Sequence, residues 1–526
     1  MQAVKYSQGG MRVALRQKLL SVKEGRGERQ YADLSRVVTK RSGTDRLYRR
    51  ATIDALPDNV LLETFDFYLG EDDADKIKHV HNYDGWQTLV HVCRRWRCII
   101  FASPRRLDLK LYCTGNRPAD PKMLNIWPAL PIVIVFAGTN RSDNVDAIIA
   151  ALRQHNRVCK IYYSRAGFQH SSVEDDFQDS LLEEFATINK PFLTLTSLKL
   201  STSQRQNVPV LPDSFLGGSA PRLRSLLLGG IPYPSMGKLL SSTTDLVRLS
   251  LHHIPHSGYI APEAIVPSLS MLPRLKSLEL GFRYPRSRAL RTNRHPPPPT
   301  RVVLPNLTSL DFSGDIEYLE DILSQIETPR LNKCCFCFFN QLVFDTPLLE
   351  HFIRRTETFT TIHTARVEFF TFAVGITLSG REMMATNDRE ALQMEIICEP
   401  LDWQLSAVAQ VSNSFLSSLP TLESLEITVA HKDWQGEIEV IQWREFLHPL
   451  TSVKNVTLEF ENSIRLVAPA LQELAGERAT EVLPILQNLF LRTYGWRPSE
   501  SGPVKEAIER FIAKRRLCGR NVTVHY

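Results

Sequence analysis

Leu195-Thr-Ser-Leu198-Lys-Leu200 is followed downstream by Leu223-Arg-Ser-Leu226-Leu-Leu228, Leu246-Val-Arg-Leu249-Ser-Leu251, Leu275-Lys-Ser-Leu278-Glu-Leu280 and Leu307-Thr-Ser-Leu310-Asp-Phe312. One pattern, L-x-x-L-x-L, thus recurs every 23 to 32 residues. Residues two apart on a strand share a face, so the last two apolar residues of each copy point into one core. The leucine three residues earlier closes the turn above them. A further copy stands at Leu422-Glu-Ser-Leu425-Glu-Ile427, and weaker ones begin at Val158, Val453 and Leu486. Pro221, Pro273, Pro305 and Pro420 introduce several of the copies with a turn.

Helical patterns separate these strands, over 180–188, 262–269, 346–353 and 503–512. Strand then helix, repeated near the 20-to-29-residue period of leucine-rich repeats, predicts an α/β solenoid in which neighbours bury a continuous core. The expectation is a horseshoe of parallel strands and helices over 105–526. Arg106–Leu111 alternates like its first strand, and Trp127–Val135 looks like the next. Between 331 and 400 the copies blur, with degenerate strands expected at Leu331–Phe338, Val367–Phe369 and Met394–Ile396.

Composition narrows the class. A chain of 526 residues is too long for one compact core unless repetition elongates it. No window reaches the run of about eighteen apolar residues that crossing a bilayer requires. The first residues lack the apolar segment of a secretory signal. Nine cysteines, odd in number and irregular in spacing, fit a reducing compartment, so a cytoplasmic or nuclear location is expected. The net charge of +6 is uneven: residues 1–50 hold 13 Lys/Arg against 4 Asp/Glu, and the remainder is slightly acidic. We read 1–50 as a basic leader, expected to be disordered, with a nucleic-acid role as the lesser alternative.

Residues 51–104 carry a second message. Pro57 suits the first position of a helix, Asp58 and Glu63 suit its dipole, and Val60, Leu61, Phe65 and Tyr68 form an apolar stripe ended by Gly70. A second apolar series runs from Trp86 through Leu89, Val90, Val92, Cys93 and Trp96 to Ile100, until Ser103-Pro104 stops it. So small a helical module buries too little surface to stand alone. Leu56-Pro57, Val60-Leu61, Phe65, Leu69, Val92-Cys93 and Trp96 resemble, position by position, the F-box. The longer separation of the two parts, around 70–84, departs from the usual pattern. With Trp86-Gln-Thr-Leu-Val-His-Val-Cys-Arg-Arg-Trp96, Leu211–Pro221 and Ile254–Ile260, the chain is similar to basidiomycete-type F-box proteins with C-terminal leucine-rich repeats.

That resemblance implies a three-helix F-box-like module followed by the solenoid. It further implies a substrate receptor of an SCF-type cullin–RING ubiquitin ligase. Leu56, Pro57, Leu61, Phe65, Val92, Cys93 and Trp96 would contact a Skp-type adaptor or shape the helices that do. A protein target would lie on the repeats, where Lys199, Arg224, Leu227, Arg248, Lys276, Glu279, Asp311 and Glu426 stand on or beside the open positions of the strands. These residues mix sign, which disfavours a nucleic-acid ligand. Alternatives are an interaction scaffold uncoupled from degradation and a nucleic-acid-associated protein using the basic leader.

No other chemistry is expected. The chain holds no phosphate-cradling glycine loop, no H-E-x-x-H and no G-x-S-x-G. Cys334-Cys335-x-Cys337 lacks a second ligand pair and reads as a buried strand. His252, His253 and His256 read as loop histidines, and His295-Pro-Pro-Pro-Pro299 as a stiff inserted loop. Neither an enzyme activity, a cofactor, a metal nor a membrane is predicted.

Overall fold

The computed structural model describes residues 56–69, 85–114, 124, 130–138, 145–165, 180–203, 208–284, 300–339, 344, 346–380, 390–398, 401–419, 421–430, 440–474, 481–492 and 502–526. The chain divides into two compact units, Met1–Glu71 and Asp72–Tyr526. The basic leader, the 70–84 separation and the proline run lie outside the described residues.

In the first unit, helix α1 covers Asp58–Leu69, with Asp58 in its first turn and Pro57 just before it. The carbonyl of Pro57 accepts from the N–H of Leu61 at 3.1 Å, so the proline opens the helix without the loss of a donor. Leu61, Leu62 and Phe65 are buried, whereas Leu56, Val60, Phe67 and Tyr68 are exposed.

The second unit begins with two short helices, α2 (Gly85–Val90) and α3 (Arg94–Ala102). The apolar series from Trp86 to Ile100 is therefore broken. Cys93 is extended at φ −156° and caps α3, its Sγ accepting from the N–H of Trp96 at 3.5 Å. The indole Nε1 of Trp86 donates to the carbonyl of Lys110 at 2.9 Å, which ties α2 to the start of the sheet.

That sheet is the main element. Its strands are β1 (Leu111–Thr114), β2 (Ile132–Gly138), β3 (Val158–Arg165), β4 (Ser197–Thr202), β5 (Ser225–Gly229), β6 (Arg248–Ile254) and β7 (Ser277–Phe282). After the two-residue β8 (Val302–Val303) come β9 (Ser309–Gly314), the equally short β10 (Ile326–Glu327) and β11 (Lys333–Phe338). The remainder are β12 (Ile362–Phe369), β13 (Ala373–Gly380), β14 (Glu390–Ile397), β15 (Ser424–Val429), β16 (Asn455–Glu459), β17 (Asn488–Arg492) and β18 (Thr523–His525). Among the described residues, strands β8 and β10 pair only with each other. The remaining 16 described strands form one sheet in the order β1-β2-β3-β4-β5-β6-β7-β9-β11-β14-β13-β12-β15-β16-β17-β18. Such a mixed α/β array of stacked parallel strands is a leucine-rich-repeat solenoid.

The recurring hydrogen bonds explain the sequence pattern. The first leucine of each copy donates its N–H three residues back, as Leu223 does to Ala220 at 3.0 Å and Leu246 to Thr243 at 3.0 Å. The carbonyl of the next residue then accepts twice from the following repeat. Arg224 accepts from Val247 at 2.8 Å and Arg248 at 3.0 Å, and Lys276 accepts from Thr308 at 2.8 Å and Ser309 at 3.0 Å. Leu226, Leu249, Leu278 and Leu310 are all buried behind these turns. Each such side chain contributes about 1.5–3 kcal/mol when fully buried.

Two expectations are corrected at the ends and in the middle. Arg106–Lys110 forms turn and irregular chain, so β1 starts only at Leu111. The strands are not all parallel. Strand β12 pairs with β15 in parallel, β13 runs antiparallel to β12, and β14 runs antiparallel to β13 and parallel to β11. The blurred stretch is therefore a three-stranded meander set into the array. The expected strands at Leu331–Phe338, Val367–Phe369 and Met394–Ile396 fall within or across β11, β12 and β14. Strand β13 was not anticipated. The helix Leu401–Ser414, α4 here, ties the meander down: buried Gln404 donates from Nε2 to the carbonyls of Phe370 at 3.0 Å and Cys398 at 2.9 Å.

Candidate functional site

Alternation divides every strand into a core face and an open face. The register lines the open-face residues into rows across the sheet. The middle row runs Lys199, Leu227, Ser250, Glu279, Asp311, Cys335, Gln393, Thr377, Arg366, Glu426, in that order. Six residues named from sequence thus fall in place: Lys199, Leu227, Glu279, Asp311 and Glu426 in this row, and Arg248 one row nearer the strand starts. Lys199 and Arg248 are exposed, and the rest are half-buried. Arg224 and Lys276 are exposed as well, but they stand in the turns leading into the strands, beside the face and not on it.

Charge on this face is sorted, where the sequence reading expected a mixture. Over β3 to β6 the charged open-face residues are Lys160, Lys199 and Arg248. From β7 to β17 the carboxylates Glu279, Asp311, Glu395, Glu368, Glu426 and Glu459 outnumber the cations Lys333, Arg366 and Arg492 among the described residues. Arg366 Nε is bonded to Glu426 at 2.8 Å, and Arg492 lies 3.6 Å from Glu459. Burial, and next the nearby Glu279 charge, hold the Asp311 carboxyl above its ordinary value. The two groups follow one another in the sequence as well as in the sheet, since β3 to β11 stack in chain order.

His252 and His253 are corrected from loop to strand: both lie in β6, with His253 at φ 52° where the register slips. The imidazole of His252 lies over Gly229, where a Cβ would come within 2.3 Å of its Nε2. Burial lowers its pKa, with Glu279 opposing. Ser250 Oγ hydrogen-bonds Glu279 and lies 3.4 Å from His252 Nδ1. Serine here bridges histidine and carboxylate. Activation of a nucleophile needs the histidine in the middle, so this trio is not arranged as a catalytic relay.

The three clustered cysteines diverge. Cys334 faces the core, whereas Cys335 and Cys337 face the open side, and burial raises all three thiols, Cys337 to about 11. Among the described residues no three or more His, Cys, Asp or Glu side chains are placed to hold a metal ion. No helix among them is long and apolar enough to cross a membrane.

Of the residues expected to meet an adaptor, Leu61 and Phe65 are buried, Cys93 and Trp96 are half-buried, and Leu56, Pro57 and Val92 are exposed. The reading missed Phe67, which is 91% exposed and shares the helix. It also missed a cluster at the strand ends of the meander, Phe370, Phe372, Ile397 and Trp403, all exposed. The signal was present as the aromatic run Phe369-Phe-Thr-Phe372. A small aromatic recess lies elsewhere on the strand ends, lined by Tyr259, Phe282, Tyr284 and Tyr318 with His256 and Asp315.

No protein-family model matches the chain, and no curated protein matches it. Among solved structures, one similar chain is the leucine-rich repeat-containing protein LegL7 from Legionella pneumophila, at 16% identity, covering 63% of this chain and 93% of that one with a TM-score of 0.25. Another belongs to a TLR13–ssRNA13 complex, at 11% identity, covering 72% of this chain and 41% of that one with a TM-score of 0.23. Strand order and register among the described residues make the fold a leucine-rich-repeat solenoid interrupted by the meander.

Proposed function

We propose that the chain is the substrate-recognition subunit of an SCF-type cullin–RING ubiquitin ligase. The F-box-like stretch 51–104 binds a Skp-type adaptor, the repeats hold a protein target, and ubiquitin transfer occurs on other subunits. The chain itself then needs no catalytic group or cofactor and works inside the cell, in cytoplasm or nucleus. Extended surfaces of stacked repeats suit protein ligands, which supports the interaction role in its general form.

One observation carries the adaptor reading. Helix α1 follows Leu56-Pro57, where the sequence resembles an F-box, and leaves Val60, Phe67 and Tyr68 uncovered. Aromatic side chains exposed together on one short helix are the usual anchors of a partner surface. Their substitution does not disturb the buried Leu61 and Phe65, so a clean test exists. The wild-type chain and the Phe67→Ser/Tyr68→Ser variant are compared for co-purification of a Skp-type adaptor. At least tenfold lower recovery with the variant is expected. Equal recovery from both, or none from the wild type, sinks the adaptor reading.

A further inference from the structure

The meander carries a second uncovered apolar surface. Phe370 and Phe372 sit in the β12–β13 turn, where the Phe370 N–H donates to the Ala373 carbonyl at 2.9 Å. Ile397 ends β14 opposite Ala373, and the N–H of Cys398 donates to the Phe372 carbonyl at 2.9 Å. Trp403 precedes Gln404, whose amide grips the carbonyls of Phe370 and Cys398. Four large apolar residues therefore stand on chain segments tied together by hydrogen bonds, a ledge whose side chains are 37–57% exposed. Patches of this kind mark interaction sites.

The surroundings state the partner's chemistry. Glu395, Gly375 and Glu368 lie side by side in register on β14, β13 and β12. With strands about 4.8 Å apart, the two carboxylate-bearing residues are about 10 Å from one another. Between them the ring of Phe370 folds onto the open face, its Cε2 3.4 Å from where a Gly375 Cβ would stand. Arg366 on β12 lies within electrostatic reach of Glu368 and is bonded to Glu426, yet with Glu395 and Glu459 nearby the carboxylates still outnumber it. An aromatic face in that setting favours a cationic side chain. The same carboxylates oppose the phosphates of a nucleic acid or the headgroups of an anionic membrane.

We infer that this ledge is the anchor point for the target: it takes an extended segment of another protein in which apolar residues alternate with arginine or lysine. The inference rests on the reading of the repeats as the target-holding arm, and deepens it by assigning the place and the chemistry. Phe372, Ile397 and Trp403 receive the apolar side chains, and Glu368 and Glu395 receive the basic ones.

The test uses the full chain and three fluorescein-labelled octapeptides, alternating leucine–arginine, leucine–glutamate and serine–arginine, read by fluorescence anisotropy. The leucine–arginine peptide is expected to bind at least tenfold more tightly than the other two. Phe372→Ser/Trp403→Ser removes that advantage over serine–arginine. Glu368→Lys/Glu395→Lys reverses the preference toward leucine–glutamate. No binding of leucine–arginine, equal binding of serine–arginine, or retention of wild-type preferences in both variants overturns the inference. Unchanged melting by circular dichroism certifies that the variants fold, and the charge-reversed variant gains a ligand, which an unfolded chain does not. Adaptor recovery is measured in parallel on the same variants. Its failure with the ledge intact counts against the ligase reading alone, and a silent ledge with normal recovery counts against this inference alone.

Discussion

The repeats from β4 to β9 and the meander β12–β14 solve the same problem in different ways. In the first region one L-x-x-L-x-L copy makes one strand, and the next copy stacks upon it in parallel through a doubly accepting carbonyl at residues such as Arg224 and Lys276. In the second, three strands follow one another through a tight turn and a longer connection, and the polarity alternates. Regular stacking makes a face whose charges are spaced by single residues per strand. The meander instead brings chain turns to the strand-end edge, and with them Phe370, Phe372 and Ile397. Interruption is thus where apolar side chains reach solvent together.

The sharpest way to break this comparison is to open the core beneath each region. Leu226 in β5 and Ile376 in β13 are both essentially inaccessible. Leu226→Ala and Ile376→Ala are each expected to cost about 2–5 kcal/mol in denaturant unfolding. A loss at Ile376 well under that of Leu226 means that the meander is an appendage and not part of the stack.

Gly230 tests the regular region alone. Its φ is +70°, and a Cβ would come within 2.4 Å of the Thr202 carbonyl. Gly230→Ala is expected to cost about 1–3 kcal/mol through backbone strain, measured by the same unfolding curves. A neutral result shows that the chain leaving β5 relaxes freely. Gln404→Leu tests the meander alone. Removing the amide leaves two carbonyls unpaired, a loss of about 1–3 kcal/mol. Hydrogen exchange should accelerate in 369–380 and 390–398 and stay unchanged in 225–251.

The smallest effect concerns Asp311, on the regular side of the boundary. Its carboxyl is held above the ordinary 3.8, so the folded chain binds that proton more tightly than the unfolded chain. Stability therefore declines as pH climbs from the unfolded value through the raised one, and the deficit is complete at neutral pH. Asp311→Asn is expected to raise the thermal midpoint at pH 7, by an amount that shrinks toward zero near pH 4. A constant difference at both pH values removes the charge explanation.

The regular repeats were legible because local chemistry and tertiary role coincide. A buried leucine at each fixed position, such as Leu278 or Leu310, has the same environment in every copy. The meander was not legible, because Ala373–Gly380 shows the alternation of a strand but not its direction. Parallel and antiparallel pairing bury the same face, and only the neighbours decide between them. His252 illustrates the same limit. Its ring is accommodated by Gly229 on the adjacent strand, a partner 23 residues away in sequence and one strand away in space. Exposure on α1 was partly legible: of the stripe Val60, Leu61, Phe65 and Tyr68, Leu61 and Phe65 are buried but Val60 and Tyr68 are exposed, and Phe67 outside it is more exposed still.

The strand order β11-β14-β13-β12-β15 has a consequence for how the chain is made. During synthesis β12 emerges with no neighbour awaiting it, because the place beside β11 belongs to β14, which is translated later. Everything up to β11 can stack as it leaves the ribosome, one repeat upon the last. Then growth halts until β13 and β14 have doubled back to fill the gap. Two added strands restore the original direction, whereas a single one would reverse every repeat beyond it. The array can therefore be lengthened at this point only by hairpins, and β14 is the wedge that joins an early-formed half to a late-formed one.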